Sequence, residues 1–402
     1  MERYVLAPDS FKGTLSSREV CGILREEILR SRPYAEVVSI PVADGGEGSV
    51  DAFLAALGGE RIAVPCHGPH MEDITGFYGL LPDGTAVVEM AAAAGLPLAG
   101  TRLEPDTATT YGVGELMADA AARGAGRIIL GLGGSATNDG GCGAAAALGV
   151  RFLDAEGRAF LPTGGTLERV ARIDAGSQRP LPKITVMCDI DNPLCGPLGA
   201  SAVFGPQKGA DADMAARLDV NLRRFSEIAA RDLGADVAEL PGSGAAGGMG
   251  GGAVAFWGAR LQMGIETVLD TVDFDAMVQG ARLVFTGEGR LDGQSLRGKT
   301  VAGVARRARR AGVPVAAIVG AVGGGADGIY DLGVCSVFSI NHAPEPFETA
   351  RLKSRENLRR TIRNIMGLLA AADAGRPPLF EQAREAVSAH AGARCAESGG
   401  AV

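Results

Sequence analysis

The sequence has little histidine, little aromatic character and no excess of positive charge. Four histidines and one tryptophan stand among 402 residues, and aromatic side chains make up 5 %. With so little histidine, and no cysteine–histidine cluster at zinc spacing, a zinc centre is excluded as the organising feature. The formal net charge of −8 argues against a nucleic-acid groove or an anionic membrane surface as the main partner. No uncharged apolar run reaches the roughly eighteen residues a bilayer span needs, so no membrane partner is expected. Met1-Glu-Arg-Tyr-Val-Leu6 leads into a strand pattern without a signal-peptide layout. The seven cysteines are odd in number and irregularly spaced, which reads as reduced thiols in a cytoplasmic protein. Cys142, Cys188 and Cys195 read as small buried filler.

Glycine is what the chain has in excess. Its 60 glycines are about twice the usual share of roughly 7 %, and they gather in loops behind apolar runs. Apolar residues at 46 % can fill sizeable cores, so the chain is globular. Its length fits two domains, at roughly 100–200 residues each.

Apolar runs of strand length recur at Arg3–Ala7, Val37–Val42, Ala86–Met90, Ile128–Leu132, Ile184–Cys188, Leu283–Thr286, Val315–Val319 and Cys335–Ile340. Most are continuous, as expected for strands covered on both faces. Helical patterns fall between them at Ser16–Ser31, Ser49–Leu57, Gly112–Arg123, Asp213–Asp232, Thr300–Ala311 and Arg355–Leu369. Ser16 and Glu19 form a capping box for the first helix. This alternation predicts an α/β fold: a doubly wound, Rossmann-like domain of largely parallel strands, with a second α/β domain inserted into it. Pattern breaks at Pro65–Pro69 and at 241–252 place the outer domain at 1–66 plus 275–371 and the inserted domain at 67–274. The tail, 372–402, is read as a frayed or flexible end.

Polar loops follow the strands. Gly131-Leu-Gly-Gly-Ser-Ala-Thr-Asn-Asp-Gly-Gly141 lies between a strand and a helical pattern, a layout that turns backbone N–H groups toward one anion. The plainer alternative is a turn in which glycine only permits positive φ. Asp9-Ser10-Phe-Lys12 follows the first strand, Asp44-Gly-Gly-Glu47 the second, and Asp189-Ile-Asp191 the run at 184–188. Ligands in open α/β sheets sit outside the carboxyl ends of strands, so these loops are expected to share one cleft. Asp189 and Asp191 can hold Mg²⁺ or accept a proton, or can merely cap a turn before Pro193. Lys12, Lys208, Arg290 and Lys299 are the basic residues near these loops; solvated side chains are the competing reading. Gly293-Gln-Ser-Leu-Arg-Gly-Lys-Thr300 matches the phosphate-loop pattern. The strand before it is expected to end near Thr286, too far upstream, so the match is read as incidental with Lys299 kept as a phosphate contact.

Taken together, these segments resemble the glycerate kinase type I family. The resemblance is carried by Ala7–Thr14, Pro41–Gly48, Gly131–Gly141, Cys188–Leu194, Phe204–Ala210 and Thr286–Asp292, in order over about residues 3–371. It implies ATP-dependent phosphorylation of D-glycerate on the 2-hydroxyl, with Mg²⁺ and a two-domain α/β architecture. On that reading Gly133, Gly134, Ser135, Thr137, Asn138, Gly247, Gly248 and Lys299 contact ATP. Asp9, Ser10 and Arg290 bind substrate, Lys12, Asp44 and Asp189 serve catalysis, and Asp189 with Asp191 holds the metal. A homodimer is admitted. The alternatives are a kinase forming 3-phosphoglycerate, a nicotinamide-dependent oxidoreductase and an organic-acid sensor. The oxidoreductase needs a strand-embedded G-x-G-x-x-G, which the first glycine loop lacks.

Overall fold

A computed structural model describes residues 1–42 and 48–374; Asp44 and the tail beyond Ala374 lie outside the described residues. In chain order the strands are β1 (Arg3–Pro8), β2 (Glu36–Ser39), β3 (Glu60–His67), β4 (Asp73–Leu80), β5 (Thr85–Glu89), β6 (Arg127–Gly131), β7 (Arg151–Leu153), β8 (Ala159–Phe160), β9 (Arg172–Asp174), β10 (Lys183–Met187), β11 (Arg260–Gln262), β12 (Leu283–Leu291), β13 (Val315–Val322) and β14 (Val334–Ser339). They form a five-stranded sheet ordered β14-β13-β12-β1-β2, a six-stranded sheet ordered β11-β10-β6-β5-β4-β3, and a small sheet ordered β8-β7-β9.

The five-stranded sheet is parallel throughout. Counted within the sheet, its order is 2-1-3-4-5, so the direction of winding reverses between β1 and β12. That is a doubly wound sheet, although its order is not the Rossmann 3-2-1-4-5-6. Burial on both faces explains the unbroken apolar runs. Tyr4 and Leu6 pack with the helices Ser17–Ser31 and Ser354–Asp373. Val5 and Ala7, which alternate with them, face the helices Thr300–Arg310 and Gly264–Thr271.

Val87, Ile129 and Met187 of the six-stranded sheet join the same apolar cluster as Val5 and Ala7, so one buried layer serves both sheets. The first helix carries the expected capping box, with Glu19 N donating to Ser16 Oγ at 3.3 Å and Ser16 N to Glu19 Oε2 at 2.9 Å. The last helix runs to Asp373, which pairs with Arg282, so residues 372 and 373 are structured.

The structure departs from the sequence expectations in three places. The six-stranded sheet is mixed: β3 pairs antiparallel with β4, and β4 with β5. Because β3 is bound to β4 over its whole length, the crossover between sheets precedes Glu60 rather than falling at 66. The glycine-rich stretch 241–252 breaks the pattern as expected only as far as Gly248, with turns at 241–244 and left-handed backbone angles at 246–248; from Met249 a regular helix continues to Trp257. β12 runs on to Leu291 instead of stopping near Thr286. Gly287 permits this, since a Cβ there would lie 1.9 Å from the Ile318 carbonyl oxygen of β13.

Candidate active site

The winding reversal between β1 and β12 opens a crevice at the strands' carboxyl ends, where doubly wound sheets place their ligands. A cleft of about 750 Å³ lies there. Asp9, Ser10 and Lys12 enter it from the loop after β1. Asp189 and Ile190 come from the loop after β10, Glu288 and Arg290 from β12, and Lys299 and Thr300 from the start of the next helix. Two of the loops expected to converge, those after β1 and β10, therefore meet in it, while Asp44–Glu47 lies outside the described residues. Asp9 accepts from Ser10 N at 2.6 Å and from Thr300 Oγ1 at 3.4 Å, tying the loop to the helix start.

A second chamber of about 220 Å³ adjoins the cleft, and Asp189 and Ile190 line both. Its walls include Gly133, Gly134 and Ser135 of the glycine loop, Lys208, and Ala245 and Ala246. Ala246 adopts φ +53°, a conformation that costs an L-residue roughly 1–2 kcal/mol. Strain of that kind is retained where surrounding packing fixes it, often at a ligand site.

Only part of the glycine loop faces the chamber. The helix behind it, Cys142–Ala147, has its first N–H groups already taken. Asp139 accepts from Gly141 N, Gly143 N, Thr110 N and Thr110 Oγ1, at 2.8–3.1 Å. The anion at this helix start is therefore the protein's own carboxylate, whose pKa burial nevertheless raises. Thr137 and Asn138 are fully buried, and Asn138 Nδ2 donates to Ser201 Oγ at 2.9 Å. They hold the loop and do not line the chamber. Gly247 and Gly248 are likewise packed behind it: a Cβ on Gly247 would lie 2.0 Å from the Thr137 carbonyl oxygen. What remains toward the cavity is Leu132, Gly133, Gly134 and Ser135. The N–H groups of Gly133 and Gly134 have no acceptor among the described residues.

Lys208 is the residue that sequence reasoning undervalued. It is 3 % exposed, and its Nζ donates to Ser135 Oγ at 2.9 Å and to the Thr137 carbonyl at 2.8 Å. Burial drives its pKa down to about 7, partly opposed by the Asp139 charge. The signals in the sequence were a lone lysine between Pro206 and Gly209 and its place in the Phe204–Ala210 segment.

Glu288 was passed over entirely as a site residue, though it sits in the same Gly-Glu-Gly-Arg segment that supplied Arg290. The phosphate-loop match at Gly293–Thr300 supplies only its last two residues. Strand β12 does reach it, so the context is closer than expected. However, Asp292 consumes its inner donors, accepting from Gln294 N through Oδ1 and from Ser295 N through its carbonyl. Lys299 and Thr300 alone reach the cleft. Asp191 is exposed and does not line it. Asp189 is engaged, its Oδ1 accepting from Gly264 N at 2.6 Å.

Among the described residues no three metal-ligating side chains cluster. Mg²⁺ typically keeps several waters and takes one or two carboxylates besides substrate phosphates. Asp189, at the junction of chamber and cleft, fits that role.

Fold and site together define an α/β enzyme that brings free backbone N–H groups beside a cleft of mixed charge, a layout suited to moving a phosphoryl group onto a small acidic acceptor. Comparison with known proteins narrows this. The model of the glycerate kinase family matches residues 4–370. A glycerate kinase of Bacillus cereus is 45 % identical over 368 residues, covering 90 % of this chain and 97 % of the relative. The glycerate 2-kinase of Escherichia coli K12 is 42 % identical over 373 residues, covering 92 % and 98 %. A Salmonella typhimurium LT2 crystal structure assigned as glycerate kinase 2 superposes with a TM-score of 0.83 at 42 % identity, covering 93 % of this chain and 99 % of that one. The chain belongs to the glycerate kinase family, and is thus a phosphotransferase. No described helix is long and apolar enough to cross a membrane.

Proposed function

We propose that the protein transfers the γ-phosphoryl group of ATP to the 2-hydroxyl of D-glycerate, forming 2-phosphoglycerate with Mg²⁺. The observation that carries this reading is the junction at Asp189: one carboxylate borders both the glycine-loop chamber and the cleft of mixed charge. Phosphoryl transfer relies on positioning and charge neutralisation, with little covalent chemistry for the protein itself. Gly133 and Gly134 would offer N–H groups to the ATP phosphates, and Lys299 a point charge. Lys12 and Arg290 face the glycerate carboxylate, with Asp9 and Ser10 accepting or donating to its hydroxyls. Asp189 would hold Mg²⁺, which neutralises charge on the phosphates when bound.

The division into two domains belongs to the same reading. The five-stranded sheet forms one unit and the strands between Glu60 and Gln262 the other, with the site between them. A cytoplasmic location and a homodimer are part of it too. The test is an assay of ADP release with D-glycerate, with phosphorus NMR of the product. A 2-phosphoglycerate resonance is expected. A 3-phosphoglycerate product would correct the regiochemistry, and the absence of ADP release would refute the kinase reading.

A further inference from the structure

The row Gly287-Glu-Gly289 gives Glu288 a setting shared by no other carboxylate in the cleft among the described residues. Gly287 lies against the Ile318 carbonyl, and a Cβ on Gly289 would come 3.3 Å from Lys12 N. The two glycines let β13 and the loop after β1 close in on β12. Glu288 and Arg290 alternate with them and share the other face of the strand. Glu288 is left 7 % exposed at the cleft wall, and its Oε1 is buried without a hydrogen-bond partner. An unpartnered buried carboxylate oxygen costs free energy unless it meets a partner at some stage of function.

We propose that Glu288 is the group that accepts the proton of the acceptor hydroxyl during phosphoryl transfer. The inference rests on the kinase reading above. In the step, the hydroxyl O–H bond breaks and its oxygen forms the new bond to the γ-phosphorus. The bond from that phosphorus to the nucleoside diphosphate breaks, its electron pair leaving with the diphosphate, and the proton moves to Glu288 Oε1. Asp189 is exposed and already accepts from Gly264 N, so it keeps the metal side of the cleft.

The surroundings suit a proton acceptor. Burial, with Asp9 and Asp292 adding to it, raises the Glu288 pKa to about 7, against the neighbouring Ser295 hydroxyl and the charge of Lys299. Lys12 and Arg290 share the cleft. A base with a pKa near the working pH combines an ionised fraction with proton affinity.

The test compares the wild type with Glu288→Gln and Glu288→Asp at saturating ATP, measuring kcat and KM for glycerate from pH 5.5 to 9. In the wild type, kcat/KM should rise with pH through about 7, because the base must be ionised. Glu288→Gln should lose kcat by about 10²-fold or more, keep its glycerate KM within about threefold, and lose the acidic limb. Glu288→Asp should recover part of the rate. Thermal melting checks that both variants fold. A Glu288→Gln enzyme with wild-type kcat and an unmoved limb overturns the inference, as does a change confined to KM. A wild type that releases no ADP with D-glycerate overturns the kinase reading and this step together.

Discussion

Replacing Lys208 with methionine removes a buried ammonium while keeping most of its stem volume. Lys208 is 3 % exposed, and its pKa falls from 10.5 to about 7 on folding. The unfolded chain therefore binds one more proton than the folded protein between those two values, so stability from this group rises with pH across that window. Below about pH 7 both states are protonated and the full burden of the buried charge is present. From pH 7 to pH 9 the group contributes a gain of about 2 kcal/mol to the wild type and none to Lys208→Met. The variant also leaves the Thr137 carbonyl short of a donor, a loss of about 1–3 kcal/mol that does not vary with pH. Urea unfolding of both proteins at several pH values, plotted as a difference, isolates the slope, because other titrating groups cancel. Parallel curves would refute the buried-ammonium account. Because Ser135 loses its partner, the KM for ATP should rise in the variant as well.

Asp189→Asn should lower turnover by about 10²-fold or more while the fold survives, since the side chain is exposed and amide oxygen can still accept from Gly264 N; near-normal turnover measured by ADP release would remove Asp189 from the site. Gly247→Ala should destabilise the protein by about 2 kcal/mol or more, because the residue has φ +64° and its new Cβ would meet the Thr137 carbonyl. An unchanged urea midpoint would show that the loop can shift freely.

Most of the regular framework was legible. Continuous apolar runs marked the strands of the parallel sheets, and the helix Ser49–Leu57 appears with the bounds its sequence pattern predicts. The β3–β4 hairpin was not read, because Pro65 in β3 and Gly76 and Gly79 in β4 mark breaks in sequence, although β3 buries Ile62, Val64 and Cys66 in regular alternation. The helical segment from Met249 to Trp257 was missed because seven of the residues 242–252 are glycines, which have poor intrinsic helix propensity. Tight packing on the glycine loop overrides that: Gly140 N donates to the Gly247 carbonyl at 3.0 Å.

The site divides along the same line. The sequence by itself determined which loops carry polar groups and that they follow parallel strands, because hydrophobic runs and glycine breaks are local properties. It also determined the family, through motifs spread over the chain. Only the tertiary structure decided which of those groups face a ligand. Asp139 and Lys208 look like surface candidates in the sequence, yet both are buried, Asp139 within the glycine loop and Lys208 against its Ser135 and Thr137. Glu288 looks like one acid among many, yet packing leaves one of its oxygens unpartnered at the cleft wall. Burial and partner geometry arise from contacts between residues distant in sequence, such as Lys208 with Ser135, and these set the charge states on which the chemistry depends.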